Sequence, residues 1–181
     1  MVFTETPLKG AYVIDIVPIE DERGWFARAF CKDEFAKYGL HTEYPQHNIS
    51  YNLKKGTVRG LHYQLPPYGE VKIVECTKGN IFDVIVDMRQ DSDTFLQWFA
   101  VELNENDGKM LYIPKDFAHG FQTLSDNAEV FYLMGEYYQK GMESGIRWND
   151  EKLGITWPMR DDIVISEKDR QLKTVDKMQE N

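Results

Sequence analysis

Short runs rich in Val, Ile, Phe, Tyr and Trp follow one another along the chain, at 11–17, 46–52, 58–64, 71–76, 81–89, 97–103, 110–113, 120–124 and 129–136. Turn signals separate them: Lys54-Lys55-Gly56, Pro66-Pro67-Tyr68-Gly69, Lys78-Gly79-Asn80, Glu105-Asn106-Asp107-Gly108 and Ser125-Asp126-Asn127. Many short strands spaced by turns predict an all-β sandwich or barrel rather than alternating β and α units. Helical signals are sparse. Residues 32–38, followed by Gly39, form a short helical pattern with a glycine stop, and a second lies near 166–171. With no repeat, linker or low-complexity stretch, residues 1–181 read as one domain with a few short peripheral helices. The polar tail from about 171 is expected to be peripheral and loosely held.

Strand parity says which side chains share a face. In Ile81-Phe82-Asp83-Val84-Ile85-Val86-Asp87-Met88 the even positions are all apolar, while Asp83 and Asp87 alternate with Ile81 and Ile85. If the odd face lines a barrel, Asp83 is a buried carboxylate that needs a partner, because a lone buried charge is very costly. If the strand is an edge, both carboxylates face water.

Composition narrows the function. At 42% hydrophobic and 28% charged, the chain suits a folded soluble domain, and no apolar run approaches the roughly 20 residues a membrane span needs. Its start, Met1-Val2-Phe3-Thr4-Glu5-Thr6, has neither the basic beginning nor the apolar core of a secretory signal. Cys31 and Cys76 are too few for a disulfide framework. The expected location is therefore the cytoplasm. A net charge of −9 argues against nucleic acid as a partner. An anionic small molecule stays open if Arg23, Arg28, Lys55, Arg59 and Lys72 gather in one cleft instead of spreading over a solvated surface.

Two segments concentrate candidate chemistry: Gly60-Leu61-His62-Tyr63-Gln64 running on to Lys72, and Gly108-Lys109-Met110-Leu111-Tyr112-Ile113-Pro114-Lys115-Asp116-Phe117-Ala118-His119-Gly120. The second, a glycine, five residues, a proline and then a histidine, resembles the second conserved motif of cupins. The first is only half a cupin metal motif, since Gln64 stands where a second histidine would be and Glu70 follows two prolines. His62 and His119 alone fall short of the three or four protein donors expected for Zn or Fe, so no metal is expected.

Five segments carry a sharper resemblance: Asp21-Glu22-Arg23-Gly24-Trp25-Phe26, Val58-Arg59-Gly60-Leu61-His62-Tyr63-Gln64, Phe82-Asp83-Val84-Ile85-Val86-Asp87-Met88-Arg89, Ile113-Pro114-Lys115-Asp116-Phe117-Ala118-His119-Gly120-Phe121 and Trp148-Asn149-Asp150. Together they are similar to the dTDP-4-dehydrorhamnose 3,5-epimerase family, in order from about residue 7 to residue 170. The resemblance implies a cupin jelly roll, a homodimer, a nucleotide-diphospho-sugar substrate and no cofactor. It implies His62 as catalytic base, Asp169 as its carboxylate partner, Lys72 beside the enolate oxygen and Tyr132 as the acid on the other ring face. Arg23, Gln46, Asn48, Arg59, His119, Glu143 and Lys168 match positions that hold the nucleotide, diphosphate or hexose, and Tyr138 is a candidate wall of the sugar pocket. Arg28 stands at a substrate-binding position where the family commonly has an acidic residue.

That chemistry suits the residues. A 4-keto sugar is its own electron sink, because loss of a proton at C3 or C5 places charge on the C4 oxygen. A neutral histidine can take the proton, a cation can stabilise the oxyanion, and a phenol can return a proton. Three competing readings remain: a C3-only epimerase, a metal-dependent cupin oxygenase or isomerase, and a non-catalytic sugar-binding module.

Overall fold

The computed structural model describes residues 1–179. In chain order its elements are β1 (Val2–Glu5), β2 (Tyr12–Asp15), β3 (Ile19–Asp21), β4 (Gly24–Phe26), α1 (Lys32–Lys37), β5 (Gln46–Asn52), β6 (Thr57–Gln64), β7 (Lys72–Lys78) and β8 (Asn80–Asp87). There follow β9 (Trp98–Asn104), β10 (Lys109–Ile113), β11 (Phe117–Thr123), β12 (Ala128–Met134), β13 (Glu143–Gly145), β14 (Val164–Ile165), α2 (Glu167–Arg170) and α3 (Val175–Gln179). One six-stranded sheet runs β1-β2-β10-β7-β12-β5. A second runs β13-β6-β11-β8-β9, with β14 added to β6 in parallel, and β3 and β4 form a separate hairpin. The main pairings are antiparallel and neighbours are often far apart in sequence, the jelly-roll form of the expected all-β fold.

Alternation explains why two layers form. Val74, Cys76, Ile81, Ile85, Leu111, Phe121 and Val130 point between the sheets and make one buried cluster. Burying one such side chain contributes about 1.5–3 kcal/mol. The opposite face of the second sheet is also covered: Leu61, Val84, Val86 and Ala118 pack against Ile146, Leu153, Trp157 and Val175. Outside the first sheet, Phe35 of α1 packs with Ile14, Ile73 and Tyr112.

Strand β8 therefore lies between β11 and β9 with both faces buried. Asp83 and Asp87 are fully enclosed with Ile81 and Ile85, which settles the parity question in favour of the barrel interior. The tail differs from expectation. Val175 is 3% exposed, its amide donates to Asp150 Oδ2 at 2.8 Å, and Met178 packs on the same cluster. The physical cause is the Val175/Met178 spacing, which gives a short helix one apolar stripe among polar neighbours. Residues 180–181 of that tail lie outside the described residues.

Candidate active site

The interior is apolar at one end and polar at the other. At the polar end, β5, β6, β7, β11 and β12 surround a cavity of about 420 Å³, which holds Asn48, Arg59, His62, Lys72, His119 and Tyr132. Lys168 and Asp169 close it from α2. An adjoining space of about 280 Å³ shares Asn48, His62, Lys168 and Asp169, and adds Gln46, Glu70, Tyr138 and Glu143. A larger hollow of about 820 Å³, lined by Tyr63, Met88, Arg89 and Met178, holds none of the expected catalytic side chains. Base, cation and phenol converge only at the smaller cavity.

Arg59 and His62 should lie on opposite faces of a regular strand, being three residues apart. A bulge removes the conflict. Opposite β11, His119 pairs with His62 but Phe121 pairs with Arg59, so Gly60 and Leu61 together face Gly120. Gly60 has φ +118°, and a Cβ there would sit 2.6 Å from the Gly120 Cα and 2.7 Å from the His119 carbonyl oxygen. Only glycine fits that approach. Leu61 is fully buried in the outer cluster, while Arg59 and His62 both line the cavity.

His62 Nε2 lies 2.7 Å from Asp169 Oδ1, and the other carboxylate oxygen accepts from the Gly60 amide at 3.2 Å. The His62 side chain is 42% exposed and that of Asp169 only 7%. The Ser166 hydroxyl caps α2 by accepting from the Asp169 amide at 3.1 Å, fixing where the carboxylate sits. Burial pushes the Asp169 carboxyl up, but the His62 hydrogen bond and charge, the Gly60 amide and Lys168 outweigh it, and it stays below the ordinary carboxylate range. A carboxylate fixed on one ring nitrogen selects the tautomer and leaves the other nitrogen to take a proton.

Lys72 opens β7 with its side chain 8% exposed, 2.8 Å from Glu70 Oε1 and 3.5 Å from the His62 carbonyl oxygen. Tyr132 enters from β12, next to β7 and on the sheet opposite His62, its hydroxyl 3.1 Å from Ser50 Oγ. Burial pushes its phenol well above the usual value, against the Ser50 hydrogen bond, so the group is protonated at neutral pH. Beside it, His119 Nε2 meets Asp83 Oδ1 at 2.7 Å, and the two rings, His119 and Tyr132, lie 6.2 Å apart edge-on. Arg59 Nε donates to Asn52 Oδ1 at 2.7 Å, which aims its guanidinium along the cavity.

Around the rim, Gln46 Nε2 donates to Asn48 Oδ1 at 3.2 Å, Tyr138 donates its hydroxyl to Glu143 at 3.2 Å, and Lys168 lies 3.7 Å from the same carboxylate. Two expected residues are elsewhere. Arg23 rides on the exposed β3–β4 hairpin, paired with Asp21, and Arg28 pairs with Glu34 at 2.8 Å. Neither lines the two spaces: Arg23 sits on a hairpin that joins neither main sheet, and Arg28 lies just past its end. Lys55 is exposed in a turn. Sequence reasoning missed Ser50, Asn52, Glu70 and Ser166. Ser50 and Asn52 had a usable signal, since both share parity with Gln46 and Asn48 on β5. Among the described residues, no three of His, Cys, Asp or Glu gather as metal ligands.

Fold and site define an enzyme of the cupin type, a jelly roll with a histidine–carboxylate pair in a cationic cavity. The chain belongs to the dTDP-4-dehydrorhamnose 3,5-epimerase family, whose profile matches residues 5–177. The enzyme of that name from Methanothermobacter thermautotrophicus is 42% identical over 174 residues, 94% of this chain and 92% of the relative. Among solved structures, the enzyme from Elizabethkingia anophelis superposes with a TM-score of 0.95 at 36% identity, covering 98% of this chain and 97% of the other. The dTDP-6-deoxy-D-glucose-3,5-epimerase from Legionella pneumophila, solved with dTDP-4-keto-L-rhamnose, gives 0.91 at 35% identity, with 97% of this chain and 93% of the other covered.

Proposed function

We propose that this chain epimerises a nucleotide-diphospho-4-keto-6-deoxyhexose at C3 and C5, converting dTDP-4-dehydro-6-deoxyglucose to dTDP-4-dehydrorhamnose. The observation that carries the reading is that His62 and Tyr132 come from opposite sheets and face one cavity, so a sugar ring between them meets a base on one face and an acid on the other. His62 removes the proton at the carbon next to the ketone, and the C–H electron pair moves into an enolate whose charge rests on the C4 oxygen. Lys72 faces that oxygen with a preorganised charge. Tyr132 then protonates the same carbon from the opposite side, inverting it, and solvent resets both side chains. Arg59 holds the diphosphate through its guanidinium fork. Gln46, Asn48, His119, Tyr138, Glu143 and Lys168 hold the rest of the nucleotide sugar. No cofactor is needed, because the substrate supplies its own electron sink.

We read the chain as a cytoplasmic homodimer. Its cysteines are free, and no helix among the described residues is long and apolar enough to cross a membrane. Ile49 and Tyr51 on the edge strand β5, Leu53 just past its end, and Ile19, Trp25 and Phe26 on the hairpin are all 45–73% exposed, an apolar surface that a second copy would cover. Arg23 and Arg28 then reach substrate across the interface. Light scattering should give twice the 21.2 kDa chain mass.

The reaction is tested by turnover in deuterated water. Label should enter both C3 and C5 of the dTDP sugar. Label at C3 alone would overturn the 3,5 assignment, and no label with intact binding would favour a non-catalytic module.

A further inference from the structure

We infer that Glu70 is a positioning residue that holds the Lys72 ammonium where the enolate oxygen forms, an inference that rests on the role given to Lys72 above. Glu70 stands two residues before Lys72, just ahead of β7. Their charged ends meet at 2.8 Å, with side chains 9% and 8% exposed. Glu70 lines the space of about 280 Å³ and Lys72 the cavity of about 420 Å³, so the pair stands on the boundary between them. The Lys72 backbone is fixed from both sides, opposite Ile113 of β10 and Met134 of β12.

A lysine side chain has four rotatable carbons and carries a point charge with no intrinsic geometry. Of its three N–H donors, one is taken by Glu70 and a second points toward the His62 carbonyl at 3.5 Å. The third is left for the cavity. The His62 carbonyl also ties the cation to the strand that carries the base, so base and cation keep a fixed spacing. Without Glu70 the ammonium is free to swing along its stem, and a cation displaced by an ångström stabilises a developing oxyanion much less.

The test is the rate of C3 deuterium exchange, read by mass spectrometry over hours so that thousandfold slower variants stay measurable. Glu70→Ala should lower the exchange rate constant about tenfold or more while KM moves less than about threefold, since the interaction acts in the transition state. In a Lys72→Met background, Glu70→Ala should add nothing further. Should Glu70→Ala fail to fold, Glu70→Asp carries the same test: it keeps the charge but draws it back by one methylene, and a slower rate at unchanged KM is expected. Folded Glu70→Ala or Glu70→Asp exchanging at the parental rate would overturn the inference, as would an equal loss with and without Lys72. A Lys72→Met enzyme at the parental rate would instead overturn the role assigned to Lys72 itself.

Discussion

Two histidines on neighbouring strands of one sheet each meet a carboxylate at 2.7 Å, and the two pairs have different surroundings. In His62–Asp169 the imidazole is 42% exposed toward the cavity, and its carboxylate arrives from a short capped helix 107 residues away. In His119–Asp83 the side chains are 5% and 0% exposed, and both belong to the central strands β11 and β8. The Oδ2 of Asp83 is buried with no hydrogen-bond partner among the described residues. A base must both take and release a proton, so it needs open approach and a carboxylate satisfied on its far side. Asp169 is so satisfied by the Gly60 amide and His62. Asp83 has His119 as its one side-chain hydrogen-bond partner among the described residues, and the enclosed pair holds that ring against Tyr132. Distance between partners does not separate the two pairs; exposure and the second carboxylate oxygen do.

The largest expected effect breaks the open pair. Asp169→Asn should lower turnover by about 10³-fold with stability little changed, because the amide no longer selects the tautomer or stabilises the imidazolium. Steady-state kinetics beside a thermal melt would check this. In the enclosed pair the same change should act mainly on folding. Asp83→Asn should cost about 3 kcal/mol in denaturant unfolding, since it leaves a buried partner uncompensated, with a smaller effect on the folded enzyme's turnover.

A third buried carboxylate on the same face of β8 sharpens the contrast. Burial pushes Asp87 up, but Arg89, Ser92 and Thr94 donate to it, and its carboxyl is drawn down to about 2. A depressed acid contributes stability that is complete above its unfolded value near ~4 and lost as pH falls through the folded value. Asp87 should therefore supply about 2 kcal/mol at neutral pH that disappears between about pH 4 and pH 2. Asp87→Asn should flatten that part of the acid-unfolding curve.

The fold was legible where alternation was strong. The span 46–52 is the observed β5, and 58–64 misses β6 by one residue. Strand β11 was expected from 120 but starts at Phe117, because Asp116 at φ +62° turns the chain immediately before it and the preceding proline reads as loop. The strands β1, β3, β4, β13 and β14 have four residues or fewer and too little sequence to show a period. Of the site, His62, Lys72, Tyr132, Asp169, Arg59 and His119 were named from sequence, and all line one cavity. Glu70 and Ser166 were hidden because their value lies in holding another side chain, which depends on three-dimensional approach. The bulge at Gly60 was hidden for the same reason.

The account stands most directly on a head-to-head measurement of solvent deuterium exchange in His62→Ala and His119→Ala, with nucleotide-sugar affinity measured on both. Loss of the base should abolish exchange at C3 and C5, by about 10³-fold or more, while affinity stays near the parental value. Loss of His119 should weaken affinity and leave exchange detectable at both carbons. The reverse result, with His62→Ala exchanging at the parental rate and His119→Ala silent, would contradict the assignment of the open pair as the base.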